Sequence, residues 1–138
     1  MAFVLDCSVT MAWIFQDEAT EATDRLRDDL VETYASVPAL WPVETANVLL
    51  VATRRGRIAR SEWPSVRTYL DALPIEVDPV SLSRTWGAAL DLAHVHRLSV
   101  YDATYLELAR RLRLPLATLD AELRAAARSA DVDVLPPR

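Results

Sequence analysis

Four acidic residues lie where the sequence predicts that a strand ends or a helix begins. They are Asp6 in VLDCS, Glu44 in WPVETANVL, Asp102 in VYDATYLELA and Asp120 in LATLDAEL. If the strands are parallel, strand ends and helix starts share one edge of the sheet, where open α/β folds bind ligands. Four carboxylates that converge there would repel one another, and a divalent cation would remove that repulsion. Because hard cations such as Mg²⁺ take oxygen ligands, the pattern indicates a metal site.

Each of these acids also has a simpler structural explanation. Asp6 could form a turn with nearby backbone amides, and Glu44, which follows a proline closely, suits the first turn of a helix because of the macrodipole. Ser99 and Asp102 have the spacing of a capping box, although Asp is not its usual partner. Asp120 is a good N-cap for the helix that follows it. The interpretation as a metal site therefore depends on all four acids together.

Two of the acids continue helical stripes that we expect to face the core. Glu44 shares its stripe with Val48 and Val51. Asp102 shares a second stripe with Leu106. An unpaired charge at the end of a buried stripe is costly, so the joint pattern favours a bound cation over four separate caps.

An alternation of short strands and helices positions these acids. We expect strands at residues 3–5, 33–37, 75–77, 116–118 and 132–135. We expect helices at residues 9–15, 18–30, 42–55, 61–72, 81–96, 101–112 and 121–130, with Ser8 capping the first and Gly56 ending the third. The alternation predicts an α/β fold with helices on both faces of a short parallel sheet.

The composition indicates one globular domain spanning residues 1–138, with 51% hydrophobic residues. Two glycines are too few for a glycine-rich phosphate loop. The chain has no apolar run long enough to span a membrane, and its N-terminus does not resemble a signal peptide. A single cysteine, Cys7, cannot form an internal disulfide, which suits the reducing cytoplasm. We interpret Cys7 as a small buried side chain, since no paired base is evident.

The net charge of −5 at first argues against a nucleic-acid partner. Once the four clustered acids are set aside, however, the remaining charges nearly balance. All 15 basic residues are arginine, which binds phosphate well. Four of them form the run RRGRIAR: Arg54, Arg55, Arg57 and Arg60. This run could contact RNA phosphates or a partner, or it could be a solvated helix end.

The chain resembles the PIN-domain ribonucleases, and most closely the VapC-type toxins of bacterial toxin–antitoxin pairs. The matching segments are VLDCS, PVETANVL, YDATYLELA and ATLDAEL. They occur in the family's order, and the likeness covers essentially the whole chain. One departure is Cys7, where relatives often carry threonine. The resemblance implies a three-layer α/β/α sandwich with a short central parallel sheet.

The resemblance also implies a Mg²⁺- or Mn²⁺-dependent endoribonuclease that hydrolyses RNA with a metal-activated water. Asp6 would be the central ligand, with Asp102 and Asp120 completing the direct set. Glu44 would bind a second metal or hold a water. Three polar residues would orient these carboxylates: Ser8, Asn47 and Thr118.

A toxin of this family implies an antitoxin partner and a homodimer. The apolar run VTMAWIF at residues 9–15 could form part of a partner groove, or it could be ordinary core.

Two other functions remain open at this point. A phosphatase of the haloacid-dehalogenase type would use Asp6 as nucleophile, but it needs a second acid where this chain has Ser8, and a lysine that is absent. A non-catalytic binding module would keep the fold without needing all four acids. Cleavage of structured RNA on metal addition, against phosphate release from small esters, would separate these functions.

Overall fold

The computed structural model describes residues 1–137. Five parallel strands form one sheet in the order β3-β2-β1-β4-β5. The strands are β1 (Phe3–Leu5), β2 (Ala35–Val37), β3 (Ile75–Val77), β4 (Leu116–Ala117) and β5 (Val134–Leu135). The α-helices are α1 (Cys7–Ile14), α2 (Glu21–Asp29), α3 (Leu40–Arg54), α4 (Trp63–Asp71), α5 (Leu90–His96), α6 (Val100–Leu112) and α7 (Ala121–Ser129). The predicted three-layer α/β/α architecture is confirmed.

The central strand β1 determines where a ligand site can form. The chain runs from β1 to β2 and β3 on one side, then returns to the other side of β1 for β4 and β5. Strand order therefore reverses between β1 and β4, and the crevice at their carboxyl ends is the position at which open α/β sheets bind ligands. Leu5 pairs with Ala117. The residues that follow them, Asp6 and Thr118, consequently lie side by side at this crevice.

Helices α1 and α3 begin earlier than the sequence predicted. Asp6, and not Ser8, is the N-cap of α1, because its carboxylate accepts the backbone N–H of Ser8 at 3.4 Å. Helix α3 begins at Leu40, so that Pro42 lies inside its first turn. Proline is tolerated there because the N–H groups of a first turn have no acceptor within the helix. Helix α3 ends before Gly56, as predicted, and Gly56 has a φ of 75°.

The predicted helices at residues 18–30 and 81–96 are wrong in their extent. Helix α2 starts at Glu21, because Thr20 and Thr23 bind each other's backbone N–H groups in a capping box. Residues 81–96 form a 3₁₀ turn (Ser81–Arg84), a π-helical turn (Thr85–Ala89) and then α5. The π-helical turn contains Gly87, and glycine lowers α-helical propensity by about 1 kcal/mol relative to alanine.

The apolar run at residues 9–15 is part of the core and not a partner groove. Within this run every residue except Ile14 is buried, and Ile14 is half-buried. Val9 and Trp13 pack with β1 in the main hydrophobic cluster, while Met11 and Phe15 belong to a second cluster against α3. None of the helices in the described part of the chain combines the length and apolar character needed to cross a membrane.

Candidate active site

Asp6 is held by one hydroxyl group from the first turn of α1 and by another from the residue that follows β4. Ser8 Oγ donates to Asp6 Oδ2 at 2.6 Å, and Thr118 Oγ1 donates to the same oxygen at 2.8 Å. Leu119 N–H donates to Ser8 Oγ at 2.9 Å, which directs the serine proton toward Asp6. Among residues 1–137, the hydrogen bonds to this carboxylate fall on Oδ2. The second oxygen, Oδ1, is left for another ligand.

The burial of Asp6 disfavours the ionised form of its carboxyl group. The residue is 5% exposed. Burial raises the pKa of Asp6, although the hydrogen bonds from Ser8 and Thr118 and the backbone N–H groups of Ser8 and Cys7 act in the opposite direction. A positive charge placed nearby would favour the ionised form.

Asp120 lies next to this network and caps α7. Its Oδ1 accepts the backbone N–H of Leu123 at 2.8 Å. Its own backbone N–H donates to Thr118 Oγ1 at 3.1 Å, so Thr118 links Asp120 to Asp6. The capping explanation therefore holds for one carboxylate oxygen, while Oδ2 accepts no hydrogen bond from the described residues.

Asp102 stands in the first turn of α6, and Ser99 is the cap. Ser99 Oγ accepts the backbone N–H of Asp102 at 3.0 Å, while the Asp102 carboxylate makes no hydrogen bond within residues 1–137. Burial is the main cause that raises the pKa of Asp102 to about 6, and the negative charges of Asp6, Asp120, Glu44 and Glu122 contribute to the same shift. The contributions of Asp6, Asp120 and Glu44 to the Asp102 shift indicate that the four predicted acids share one electrostatic environment.

Glu44 faces the same group of acids from α3. Tyr105 Oη donates to Glu44 Oε1 at 2.7 Å. Burial raises the pKa of Glu44, the Tyr105 hydrogen bond lowers it, and the charge of Asp6 raises it. Oε2 accepts no hydrogen bond from the described chain.

Asn47 and the four arginines are not drawn into this cluster. Asn47 is exposed and makes no hydrogen bond to Glu44 within residues 1–137. Arg57 is bound within the chain: its Nη2 pairs with Asp17 at 3.1 Å and with Glu18 at 3.0 Å, and its guanidinium lies over Phe15 at 4.2 Å. Of the other three arginines, Arg60 stacks on Trp63, and Arg54 and Arg55 are exposed.

Cys7 has the character of a buried side chain rather than that of a nucleophile. Burial raises the pKa of its thiol to about 12, and the charges of Glu44 and Asp6 add to this effect. Its sulfur lies 3.8 Å from Thr45 Oγ1. A thiol with so high a pKa holds its proton at neutral pH.

The donor set is suited to a hard divalent cation. No arginine within residues 1–137 pairs with Asp6, Glu44, Asp102 or Asp120. Each of these carboxylates has an oxygen without a hydrogen bond in that range, and all the available ligands are oxygen atoms. The described side chains do not by themselves form a closed group of three or more ligands.

Sequence reasoning missed three residues around the site. Tyr105 is the partner of Glu44, and Glu122 adds a fifth negative charge near Asp102. Arg124 donates to the carbonyl oxygens of Thr118 and Pro136, each at 2.8 Å, and so ties β5 to the end of β4. Tyr105 follows Asp102 by one helical turn, which was the one available signal; the contacts of Arg124 have no signature in the sequence.

Known proteins agree with this architecture. The family model of the PIN domain matches residues 3–129. Ribonuclease VapC1 of Mycobacterium tuberculosis is 33% identical over 107 residues, which cover 73% of this chain and 74% of that protein. The crystal structure of PAE2754 from Pyrobaculum aerophilum has a TM-score of 0.66 at 22% identity, covering 91% of this chain and 84% of that one. A toxin–antitoxin complex from Klebsiella pneumoniae has a TM-score of 0.63 at 17% identity, covering 99% and 98%. With the family model spanning nearly all of its helices and strands, this chain belongs to the PIN domain family.

Proposed function

We propose that this chain is a Mg²⁺- or Mn²⁺-dependent endoribonuclease that acts as the toxin of a type II toxin–antitoxin pair. The observations that carry this proposal are that the negative charges of Asp6, Asp120 and Glu44 act on Asp102, and that Asp6, Glu44 and Asp120 each keep an oxygen without a hydrogen bond from residues 1–137. The similarity to ribonuclease VapC1 supports RNA as the substrate.

The residues have distinct roles in this proposal. Asp6 is the central ligand, because hydroxyl groups occupy Oδ2 and leave Oδ1 available. Asp102 and Asp120 complete the direct set, and Glu44 binds a second ion or holds a water. The chemistry that Mg²⁺ or Mn²⁺ supplies when bound is activation of a water and neutralisation of charge on the phosphate.

Other residues orient the ligands. Ser8 and Thr118 fix the carboxylate of Asp6 through Oδ2. The Thr118 hydroxyl also accepts the backbone N–H of Asp120, so this one hydroxyl group positions both Asp6 and Asp120. The proposed role of Asn47 is to reach the cluster from α3 once a cation or RNA is present.

An apolar cleft between α3 and α4 supports the proposed antitoxin partner. The cleft has a volume of about 770 Å³. Its lining includes Trp41, Leu49, Leu50, Trp63, Val66 and Leu70. The cleft also reaches Thr45, the neighbour of Glu44, so an occupant would lie beside the acids. The similar Klebsiella structure is that of a toxin–antitoxin complex.

The variant Leu50→Arg tests whether this cleft binds the antitoxin. Leu50→Arg should abolish co-purification with the product of the neighbouring small gene while RNA cleavage persists.

We also propose that the chain works as a homodimer in the cytoplasm. Sedimentation analysis of the purified protein tests the dimer, and fractionation of expressing cells tests the location. A monomer at micromolar concentration would contradict the first of these proposals.

Metal-dependent RNA cleavage tests the central proposal. Purified protein is incubated with labelled structured RNA in EDTA, in Mg²⁺ and in Mn²⁺. We expect cleavage with either ion and none in EDTA. Asp6→Asn should remove the activity, whereas Asp29→Asn, the same change on the exposed end of α2, should leave it intact. Equal cleavage in EDTA, or by Asp6→Asn, would reject the proposal.

A further inference from the structure

Tyr105 is a buried hydroxyl group whose position ties two helices of the site together. Its side chain is completely buried. Its hydroxyl donates to Glu44 Oε1 at 2.7 Å, across 61 residues of sequence. Tyr105 stands on α6, one helical turn after Asp102, and Glu44 stands on α3. The hydrogen bond therefore couples the acid of one helix to the helix that carries another acid.

Glu44 needs such a partner in order to stay in the cluster. A glutamate side chain has three rotatable bonds, and immobilising it costs conformational entropy. Burial is the main cause that raises the pKa of Glu44, and the negative charge of Asp6 adds to this shift. Within residues 1–137, no arginine pairs with Glu44 and Asn47 does not bind it.

The buried hydroxyl of Tyr105 also depends on its hydrogen bond to Glu44. A buried hydroxyl without a hydrogen-bond partner destabilises the fold. Among the described residues, the carboxylate of Glu44 is the acceptor for this hydroxyl. Occupation of Oε1 leaves Oε2 as the oxygen of Glu44 that can meet a cation or a water.

We propose that Tyr105 is the positioning residue for Glu44: its hydroxyl holds Oε1, so that Oε2 is presented to the cluster of Asp6 and Asp102 at a constant place. The inference rests on the proposed function, and it assigns to Tyr105 the orienting role that the sequence suggested for Asn47. Tyr105 acts through Glu44 and does not touch the reacting atoms.

The experiment compares Tyr105→Phe with two control variants. Tyr105→Phe removes one oxygen atom from the interior, and Tyr69→Phe makes the same change on α4, away from the acids. Asn47→Ala removes the alternative orienting group. Thermal melts with EDTA, Mg²⁺ or Mn²⁺ report metal binding without catalysis, and steady-state cleavage of RNA reports kcat and KM separately.

We expect Tyr105→Phe to lose at least half of the metal-induced rise in Tm and at least tenfold in kcat, with KM for RNA changed less than twofold. Tyr69→Phe should keep the metal response of the wild type, and Asn47→Ala should lose less of that response than Tyr105→Phe does. In a Glu44→Gln background, Tyr105→Phe should cause no further loss of the metal response, because residues that act as a unit are not additive.

A measurement on the wild-type fold provides a second test. Protein labelled with 3-fluorotyrosine gives one ¹⁹F resonance for each of the four tyrosines. These can be assigned with Phe variants of Tyr34, Tyr69 and Tyr101, and Tyr105 follows by elimination. The Tyr105 resonance should move when Mg²⁺ is added, while that of Tyr69 should not.

Failure of the inference is distinguishable from failure of the proposed function. Wild-type protein that neither melts higher with Mg²⁺ or Mn²⁺ nor cleaves RNA would reject the proposed function. Wild-type protein that does both, with a Tyr105→Phe variant that does both equally well or a Tyr105 resonance that Mg²⁺ does not move, would overturn the inference alone. An Asn47→Ala variant that loses the metal response while Tyr105→Phe keeps it would also overturn the inference and return the orienting role to Asn47.

Discussion

The indole N–H of Trp41 donates to the hydroxyl of Thr10 at 3.0 Å, and this contact joins α3 to α1 in the interior. Thr10 Oγ1 in turn donates to the backbone carbonyl of Asp6 at 3.3 Å. Helix α3 carries Glu44, and Asp6 begins α1. The relay therefore sets the distance between two of the proposed metal-binding elements.

Thr10→Val should leave the buried Trp41 indole without its acceptor. We expect a loss of about 1–3 kcal/mol in the free energy of unfolding, together with reduced kcat because Glu44 shifts. Thr53→Val is the matched control, since Thr53 Oγ1 accepts the indole N–H of the half-buried Trp63 at 2.9 Å on the distal part of α3. It should cost less stability and leave cleavage unchanged. Urea unfolding and cleavage assays measure both effects, and equal kcat in wild type and Thr10→Val would contradict the relay.

Asp102→Asn separates metal binding from helix capping. In EDTA the variant should be as stable as the wild type or more so, because one of several repelling charges is removed. Mg²⁺ should raise the Tm of the wild type and raise that of the variant much less. RNA cleavage should fall by orders of magnitude.

If Asp102 only supports the start of α6, the variant should instead lose up to about 1 kcal/mol, respond to Mg²⁺ like the wild type and still cleave RNA. Glu122→Gln removes a neighbouring charge from outside the proposed ligand set, and it should keep both the Mg²⁺ response and cleavage. Near-wild-type cleavage by Asp102→Asn would exclude the proposed site.

The stability of the metal-free protein should depend on pH through Asp102. Its pKa is raised to about 6 in the folded state, so between the ordinary aspartate pKa of about 3.9 and pH 6 the folded protein binds more protons than the unfolded chain. The contribution of Asp102 to stability therefore falls as pH rises through this window and is constant above it.

Unfolding curves in EDTA between pH 4 and pH 7 should show the wild type losing stability relative to Asp102→Asn across that window. Mg²⁺ binding should weaken below pH 6, because protons compete for the carboxylate. A constant difference between the two proteins over the whole range would show that Asp102 titrates normally.

The arginines of the run differ in their contacts: Arg57 pairs with acids of the same chain, whereas Arg54 and Arg55 are exposed. Arg57 pairs with Asp17 and Glu18, so Arg57→Ala should mainly lower stability, and only slightly, because exposed ion pairs contribute little. If Arg54 and Arg55 bind phosphates, replacing both with Ala should weaken RNA binding and reduce the salt slope by about 1 for each phosphate that is no longer neutralised. The double variant Arg25→Ala/Arg67→Ala, at exposed positions on α2 and α4, serves as the charge-matched control. Binding titrations at several salt concentrations measure the slope, and an unchanged slope would identify the run as a solvated surface.

Local signals in the sequence located several elements correctly. Strand β3 has the predicted bounds, because the β-branched residues Ile75 and Val77 follow Pro74 directly. Gly56 ends α3, since its positive φ is readily available to glycine. The start of α1 was wrong because both Asp6 and Ser8 can cap a helix, and the choice between them depends on Leu119, which binds Ser8 from the far end of the chain.

At the candidate site too, the sequence predicts residues that have a local signature and misses residues whose role depends on a distant contact. The four acids could be proposed as a group because each lies just before a recognisable helix or within its first five residues. Tyr105 was missed because its value to the site depends on Glu44, 61 residues away, and periodicity reports only that Tyr105 faces the core. The pairing of Arg57 with Asp17, across 40 residues, was missed for the same reason.

The hydrogen bond from Thr118 to Asp6 spans 112 residues and has a consequence for the order of synthesis. A ribosome delivers Asp6 first, and the hydroxyl that orients it last, together with Asp120. A nascent or prematurely terminated chain therefore lacks the proposed nuclease centre, however well its first strands and helices have formed. In the proposed function, RNA cleavage can therefore begin only after the chain has been synthesised beyond Asp120 and Thr118 has packed against Asp6.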